Sequence, residues 1–157
     1  MTDRRSEVLR RLPANLFLLL QLLVAIPLIW AMLAGMKLPA LLHTLDRPSR
    51  PRRRFDPAAF ELAGLVWRYT YFILIKFTRL KKPCQLRSLA VFALLRRRGL
   101  DIRIHFGVTK DDLLMTGHCW VSLSGEQVLE QHDPREIYIE TYTYPPLETV
   151  FGDQFKL

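Results

Sequence analysis

The chain begins with a stretch in which hydrophobic positions surround the helix axis on every side. From Leu16 to Met36 it reads LFLLLQLLVAIPLIWAMLAGM, with no charge and Gln21 as the one strongly polar side chain. As a helix this run is about 31 Å long, enough to cross the hydrocarbon layer of a bilayer. A small domain rarely buries a helix that is apolar all round, whereas a bilayer accepts one and tolerates its Pro27. The pattern therefore predicts a membrane-inserted or tightly membrane-associated helix. A cleaved signal peptide fits less well, because the apolar run is longer than a signal core and no small-residue cleavage site follows it. Leu38 to Leu45, LPALLHTL, predicts a returning segment or an interfacial helix.

Residues 47–54, RPSRPRRR, are a basic connector broken by proline. Beyond it Asp56-Pro57 predicts a cap and first helical turn. Leu62, Leu65, Val66 and Tyr69 then recur at helical spacing, with Phe72, Ile73 and Ile75 widening the apolar surface. Pro83 restarts the chain, and Cys84 to Arg98 reads as a further helix with Leu86, Leu89, Ala90, Ala93 and Leu94 inward. Arg87 and Arg96 to Arg98 are expected to reach solvent, and Gly99 to close the helix in the left-handed region. Ile102, Ile104 and Phe106 alternate with Arg103 and His105, the period of a strand. A loop over 108–117 leads to a hairpin beginning at His118 and turning at Ser124-Gly125. A last strand over Ile137 to Tyr144 ends at Pro145-Pro146. Helices followed by strands predict an α+β fold: an apolar helical extension over 1–46, a linker over 47–54 and one globular domain over 55–157.

Charge sharpens the picture at the N-terminus. The 157-residue chain carries a formal +8, and residues 1–54 hold ten basic side chains against Asp3, Glu7 and Asp46. Basic residues on both sides of the apolar run suit anionic lipid headgroups and leave the orientation of a single span unresolved. A hairpin returning to the cytoplasm satisfies them equally. Arg96, Arg97 and Arg98 form a basic cluster, but no nucleic-acid-binding motif accompanies it, so a nucleic-acid partner is not the expectation. Two cysteines make no disulfide framework and point to a reducing compartment, hence to the cytoplasm or the cytoplasmic face of its membrane. His43, His105, His118 and His132 are too scattered for a metal site, and neither a metal nor a cofactor is expected.

The candidate chemistry lies in Lys-Pro-Cys84-Gln85 and Gly-His118-Cys119-Trp120. A thiol at a helix start meets unpaired amides that favour the thiolate, and Lys81, Lys82 and Arg87 act in the same sense. The amides of Cys84 and Gln85 are the candidate oxyanion donors. His118 is the candidate base, taking the thiol proton and returning it to a leaving amine. Strand parity puts Trp120 on the His118 face, where it can wall a substrate groove, and turns Cys119 away as a packed thiol. Turn geometry decides the third residue. A two-residue turn sets His118 opposite Gln131, with Leu129 and Asp133 diagonal to it; a three-residue turn sets it opposite His132 and brings Glu130 to the same face.

The segments PCQLRSLAVFALLRRRGLDIRIHFGV and GHCWVSLSGEQVLE resemble the transglutaminase-like cysteine-protease family that removes leader peptides during lasso-peptide maturation. The resemblance spans Phe55 to Tyr144. It implies a transglutaminase-like, papain-like core in which a helix carrying Cys84 packs on an antiparallel sheet carrying His118 and an acidic residue. The family aspartate falls twelve residues after the histidine, which here is Glu130, so the resemblance implies a Cys84–His118–Glu130 set with Asp133 as the alternative. Cys119 stands where relatives usually have alanine. The resemblance further implies a ribosomally made precursor peptide, a separate leader-binding protein and a peptide cyclase, and the apolar N-terminal region itself points to attachment to a membrane or an exporter. A noncatalytic membrane-associated scaffold that binds a peptide or a maturation enzyme is the alternative expectation.

Overall fold

The structure, a computed structural model, describes residues 3–47, 57–77, 84–109 and 115–146. Helices α1 (Asp3–Gly35), α2 (Leu38–Leu45), α3 (Pro57–Phe77) and α4 (Cys84–Arg97) precede strands β1 (Ile102–Thr109), β2 (Gly117–Leu123) and β3 (Glu126–Val128). A short helix α5 (Pro134–Ile137) then leads into β4 (Tyr138–Tyr144). The four strands form one antiparallel sheet in the order β3-β2-β1-β4. This is the α+β arrangement that the pattern predicts, with an apolar N-terminal helix. The expected linker falls almost wholly on residues outside the described ones, as do the cap at Asp56 and the side chains of Lys81 and Lys82.

Helix α4 is the centre of the molecule. Its apolar side chains Leu86, Leu89, Ala90, Phe92 and Leu95 are buried, and it packs on β2 and β1 through Ile102, Ile104, Cys119, Val121 and Leu123. The Ser88 hydroxyl donates to the Cys119 carbonyl at 2.8 Å, which ties the second turn of α4 to β2. At the other end Gly99 adopts φ 79°, with Leu100 N–H donating to the Leu95 carbonyl and Gly99 N–H to the Arg96 carbonyl. That double bond pattern satisfies carbonyls a helix end otherwise leaves open.

The N-terminal helices share this core. Leu18, Leu22, Ile26 and Ile29 of α1 and Leu41, Leu42 and Leu45 of α2 are buried in the same cluster as α4. Arg96 is 0% exposed, contrary to the expected solvent position, because α2 folds over it and Asp46 accepts a hydrogen bond from its Nε. Tyr144 of β4 joins the same carboxylate, its phenol pushed up by burial first and by Asp46 next. Arg98 is half-buried and donates to Gln21 at 3.1 Å, leaving Arg97 as the exposed member of the three.

Two further expectations shift at their edges. Strand β1 runs on to Thr109, whose N–H donates to the Thr116 carbonyl at 2.9 Å, so the expected loop at 108 begins after it. Ile137 closes α5 instead of opening the last strand, since Asp133 caps that helix with Pro134 in its first turn.

Removing the Asp46 carboxylate leaves the buried Arg96 guanidinium with the longer contact to Asp101, 3.8 Å from Nη1. Asp46→Ala is expected to lower unfolding free energy by about 3 kcal/mol, the low end of the cost of breaking a buried pair, because Asp101 stays in place. Chemical unfolding of the full chain in mild detergent measures it, and a change near zero would show that solvent reaches the guanidinium.

Candidate active site

Cys84 is the first residue of α4, half-buried, with its sulfur over the start of the helix. Its thiol is held below the ordinary value, chiefly by a hydrogen bond with His118 and against the opposing pull of burial. The His118 charge, the Gln85 backbone amide and Arg87 lower it further. The Gln85 amide thus addresses the sulfur, as an unpaired amide at a helix start is placed to do. Among the described residues no group of three His, Cys, Asp or Glu side chains has a metal-binding arrangement.

His118 lies near the start of β2, and its imidazole is raised to about 9, first by the hydrogen bond with Cys84 and then by one with Glu130. Nε2 stands 3.5 Å from Glu130 Oε1. The ring packs against two aromatic planes that also touch each other: its centroid is 4.9 Å from that of Tyr138 and 6.1 Å from that of Trp120, and those two lie 6.4 Å apart. Trp120 is 2% exposed and lies nearly parallel to His105 at 5.5 Å. His105 is itself fixed at both nitrogens: Nδ1 to Glu140 at 2.7 Å and Nε2 to Ser122 at 2.7 Å. Burial leads in lowering its pKa, against the Glu140 hydrogen bond.

The third position is resolved by a departure from strand geometry. Leu123 pairs with Glu126, so the hairpin has a two-residue turn, with Ser124 and Gly125 at φ 53° and 89°. Both values suit the turn that matches strand twist. By parity this turn favours Asp133 as the neighbour of His118. The ladder, however, stops at Val128, and Leu129 takes φ 76°, which turns the chain out of register and carries Glu130 to His118. Asp133 instead accepts from the Arg135 amide and guanidinium as the cap of α5.

Arg87 has a larger part than its expected solvent-facing position allowed. One turn beyond Cys84, it donates through Nη2 to Glu130 Oε1 at 3.2 Å, the same oxygen that faces His118. Its guanidinium also lies 3.4 Å above the Trp67 ring. Spacing of three from Cys84 places it on the same helix face, a signal readable in the sequence; the partner Trp67 lies within an apolar run that carries no such signal. A cavity of about 460 Å³ opens beside these groups, lined by Trp67, Tyr71, His118, Glu130 and Tyr138 among others. Trp120 is not among its lining residues, so it backs the imidazole without walling the cavity. Cys119 faces the core with its thiol pushed up by burial.

The thiol stands at a helix start, and the imidazole on the antiparallel sheet against which that helix packs. A family model of the transglutaminase-like superfamily matches residues 20–143, and the chain belongs to that family, which is associated with the B-type proteins of lasso-peptide biosynthesis. Neither the curated proteins nor the solved structures yield a match.

Two outcomes are expected of the site in solution. Iodoacetamide should label Cys84 with a rate that rises with pH along a limb below the ordinary thiol value of 9.0, while Cys119 stays unlabelled until the protein unfolds. Peptide mapping after alkylation across the pH range reads both, and a limb at or above 9.0 would remove the depressed thiol. At Gly107 a Cβ would sit 2.9 Å from the Trp120 ring and from the Ile139 carbonyl oxygen. Gly107→Ala should therefore cost about 1–3 kcal/mol of stability by overpacking; thermal unfolding equal to wild type would show that Trp120 yields freely.

Proposed function

We propose that this protein is a thiol peptidase that removes the leader from a ribosomally made precursor peptide in lasso-peptide or related maturation. The observation that carries the reading is the lowered Cys84 thiol beside a raised His118 imidazole, with a cavity that His118 and Glu130 line. The arrangement is papain-like in its division of labour. A thiolate and an imidazolium coexist between the depressed Cys84 value and about 9.

In the acylation step the Cys84 sulfur attacks the scissile carbonyl carbon, and the new oxyanion meets the Cys84 and Gln85 amides. His118 gives its proton to the amine as the C–N bond breaks, releasing the core peptide and leaving the leader as a thioester. Water then loses a proton to His118 and attacks the thioester, and the C–S bond breaks to return the thiolate and a leader carboxylate. An amine in place of water gives transamidation. Glu130 holds the imidazole in orientation and supports its positive charge, and Arg87 in turn holds Glu130. The partners of such a reaction are the precursor, a leader-binding protein, and a cyclase that closes the released core. The exposed apolar sides of α1 and α3 support a location at the cytoplasmic membrane, against anionic lipid or an exporter.

A second reading has its own support. Glu130 Oε1 is nearer to Arg87 than to His118, and large apolar side chains such as Phe17, Val24, Trp30 and Phe72 are exposed. Both features fit a noncatalytic membrane-associated scaffold that holds a peptide or a maturation enzyme.

Mass spectrometry of precursor incubated with the leader-binding protein and membranes carrying the full chain separates the two. Site-specific cleavage that disappears in Cys84→Ala and in His118→Ala supports the peptidase; intact precursor with all partners present supports the scaffold. Glu130→Gln should slow turnover about a hundredfold, the scale of losing support for a general base, with Asp133→Asn close to wild type. Equal rates for Glu130→Gln and wild type would dismiss Glu130 from that role. Turnover should rise as Cys84 loses its proton below 9.0 and fall as His118 loses the proton needed by the leaving amine near 9.

A further inference from the structure

A second concavity lies at the far end of α4, away from the thiol. It has a volume of about 740 Å³, within the range of ligand sites. One wall is α1, where Leu20, Val24 and Leu28 line the groove although 53%, 70% and 55% exposed. Leu94 of α4 faces them, and Arg97 and Arg98 line the groove beside Gln21.

The polar side of this groove is incompletely paired. Arg98 Nη2 donates to Gln21, but Arg98 Nη1 is buried with no hydrogen-bond partner among the described residues. A buried donor left open costs free energy, and an anionic oxygen is the acceptor that relieves the cost most fully. The apolar wall continues into the exposed side of α1, whose segment Asn15–Gly35 has a mean hydropathy of 2.5 with 22% buried. A water-soluble anion satisfies the guanidinium and leaves that wall wet. A hydrocarbon chain covers the wall and leaves the guanidinium open. One molecule that carries both chemistries satisfies the whole groove.

We propose that the groove between α1 and the C-terminal half of α4 seats a single anionic phospholipid, its phosphate on Arg97 and Arg98 and an acyl chain along Leu20, Val24 and Leu28. The proposal rests on the membrane-apposed reading of the N-terminal region and adds to it a discrete site with one headgroup charge. Basic residues flank the apolar run in the sequence and favour the same lipid class.

Native mass spectrometry of the full chain in an uncharged maltoside detergent tests it, with phosphatidylglycerol and phosphatidylcholine of matched chains as probes. Wild type should retain one phosphatidylglycerol at about tenfold lower lipid concentration than phosphatidylcholine, as expected for a charge-assisted contact. Arg98→Gln should erase most of that preference. Val24→Glu, at an exposed position that does not threaten folding, should expel the lipid by placing a carboxylate in the wall. Thermal unfolding close to wild type certifies that each variant is folded. Equal retention of the two lipids, displacement by millimolar inorganic phosphate alone, or full retention by folded Val24→Glu would each overturn the site. Flotation with phosphatidylglycerol vesicles keeps the two layers of the argument apart. Wild type and both variants floating alike, with no lipid retained in detergent, overturns the groove while membrane attachment stands. Specific retention without flotation supports the groove and overturns the attachment.

Discussion

The seam between α4 and β2 is the constraint on which the rest of the molecule depends. The Ser88 hydroxyl reaches the Cys119 carbonyl from one turn past Cys84, and Cys119 is the residue after His118. One buried hydrogen bond thereby fixes the distance between two backbones that are 31 residues apart. The apolar contacts of Leu89, Val121 and Leu123 close the same seam and keep water from competing for it. The backbones that carry Cys84 and His118 are thereby held to each other through their neighbours.

The electrostatics of the site follow from a shared oxygen. Glu130 Oε1 takes a hydrogen bond from Arg87 and faces His118, so a single carboxylate joins the helix that bears the sulfur to the strand that bears the ring. A guanidinium lying over Trp67 is held there, and it holds Glu130 in place while also favouring a negative sulfur. The extra methylene of glutamate spans the distance from a backbone that has already left the sheet. Against the ring, Tyr138 and Trp120 pack at a tilt to each other, and Trp120 stacks on His105, which is anchored at both nitrogens.

Much of this was legible in the order of residues. Proline before Cys84, the apolar stripe after it and Gly99 at its end specify α4 within a residue of its observed limits. Alternation at Ile102, Ile104 and Phe106 specifies β1, and Ser124-Gly125 specifies the turn. Parity failed at the acid because it assumes that a ladder persists. Leu129 at positive φ breaks the ladder after three residues of β3, and no sequence pattern at Leu129 announces a conformation that leucine seldom adopts. The Arg96 burial was hidden for a different reason: its partner Asp46 is 50 residues away on a helix that reads as part of another region. Charge runs suggest solvent only until tertiary packing supplies a counter-ion.

The length of α4 has a mechanical consequence. Its 14 residues place the sulfur and the arginine-bearing end about 20 Å apart. A rigid lever of that length converts a tilt of about 3° at one end into a shift of about 1 Å at the other, the scale at which misplacement of a reacting group costs about a hundredfold in rate. Whatever grips the α1 side of the rod therefore has purchase on the reactivity of an atom it never touches.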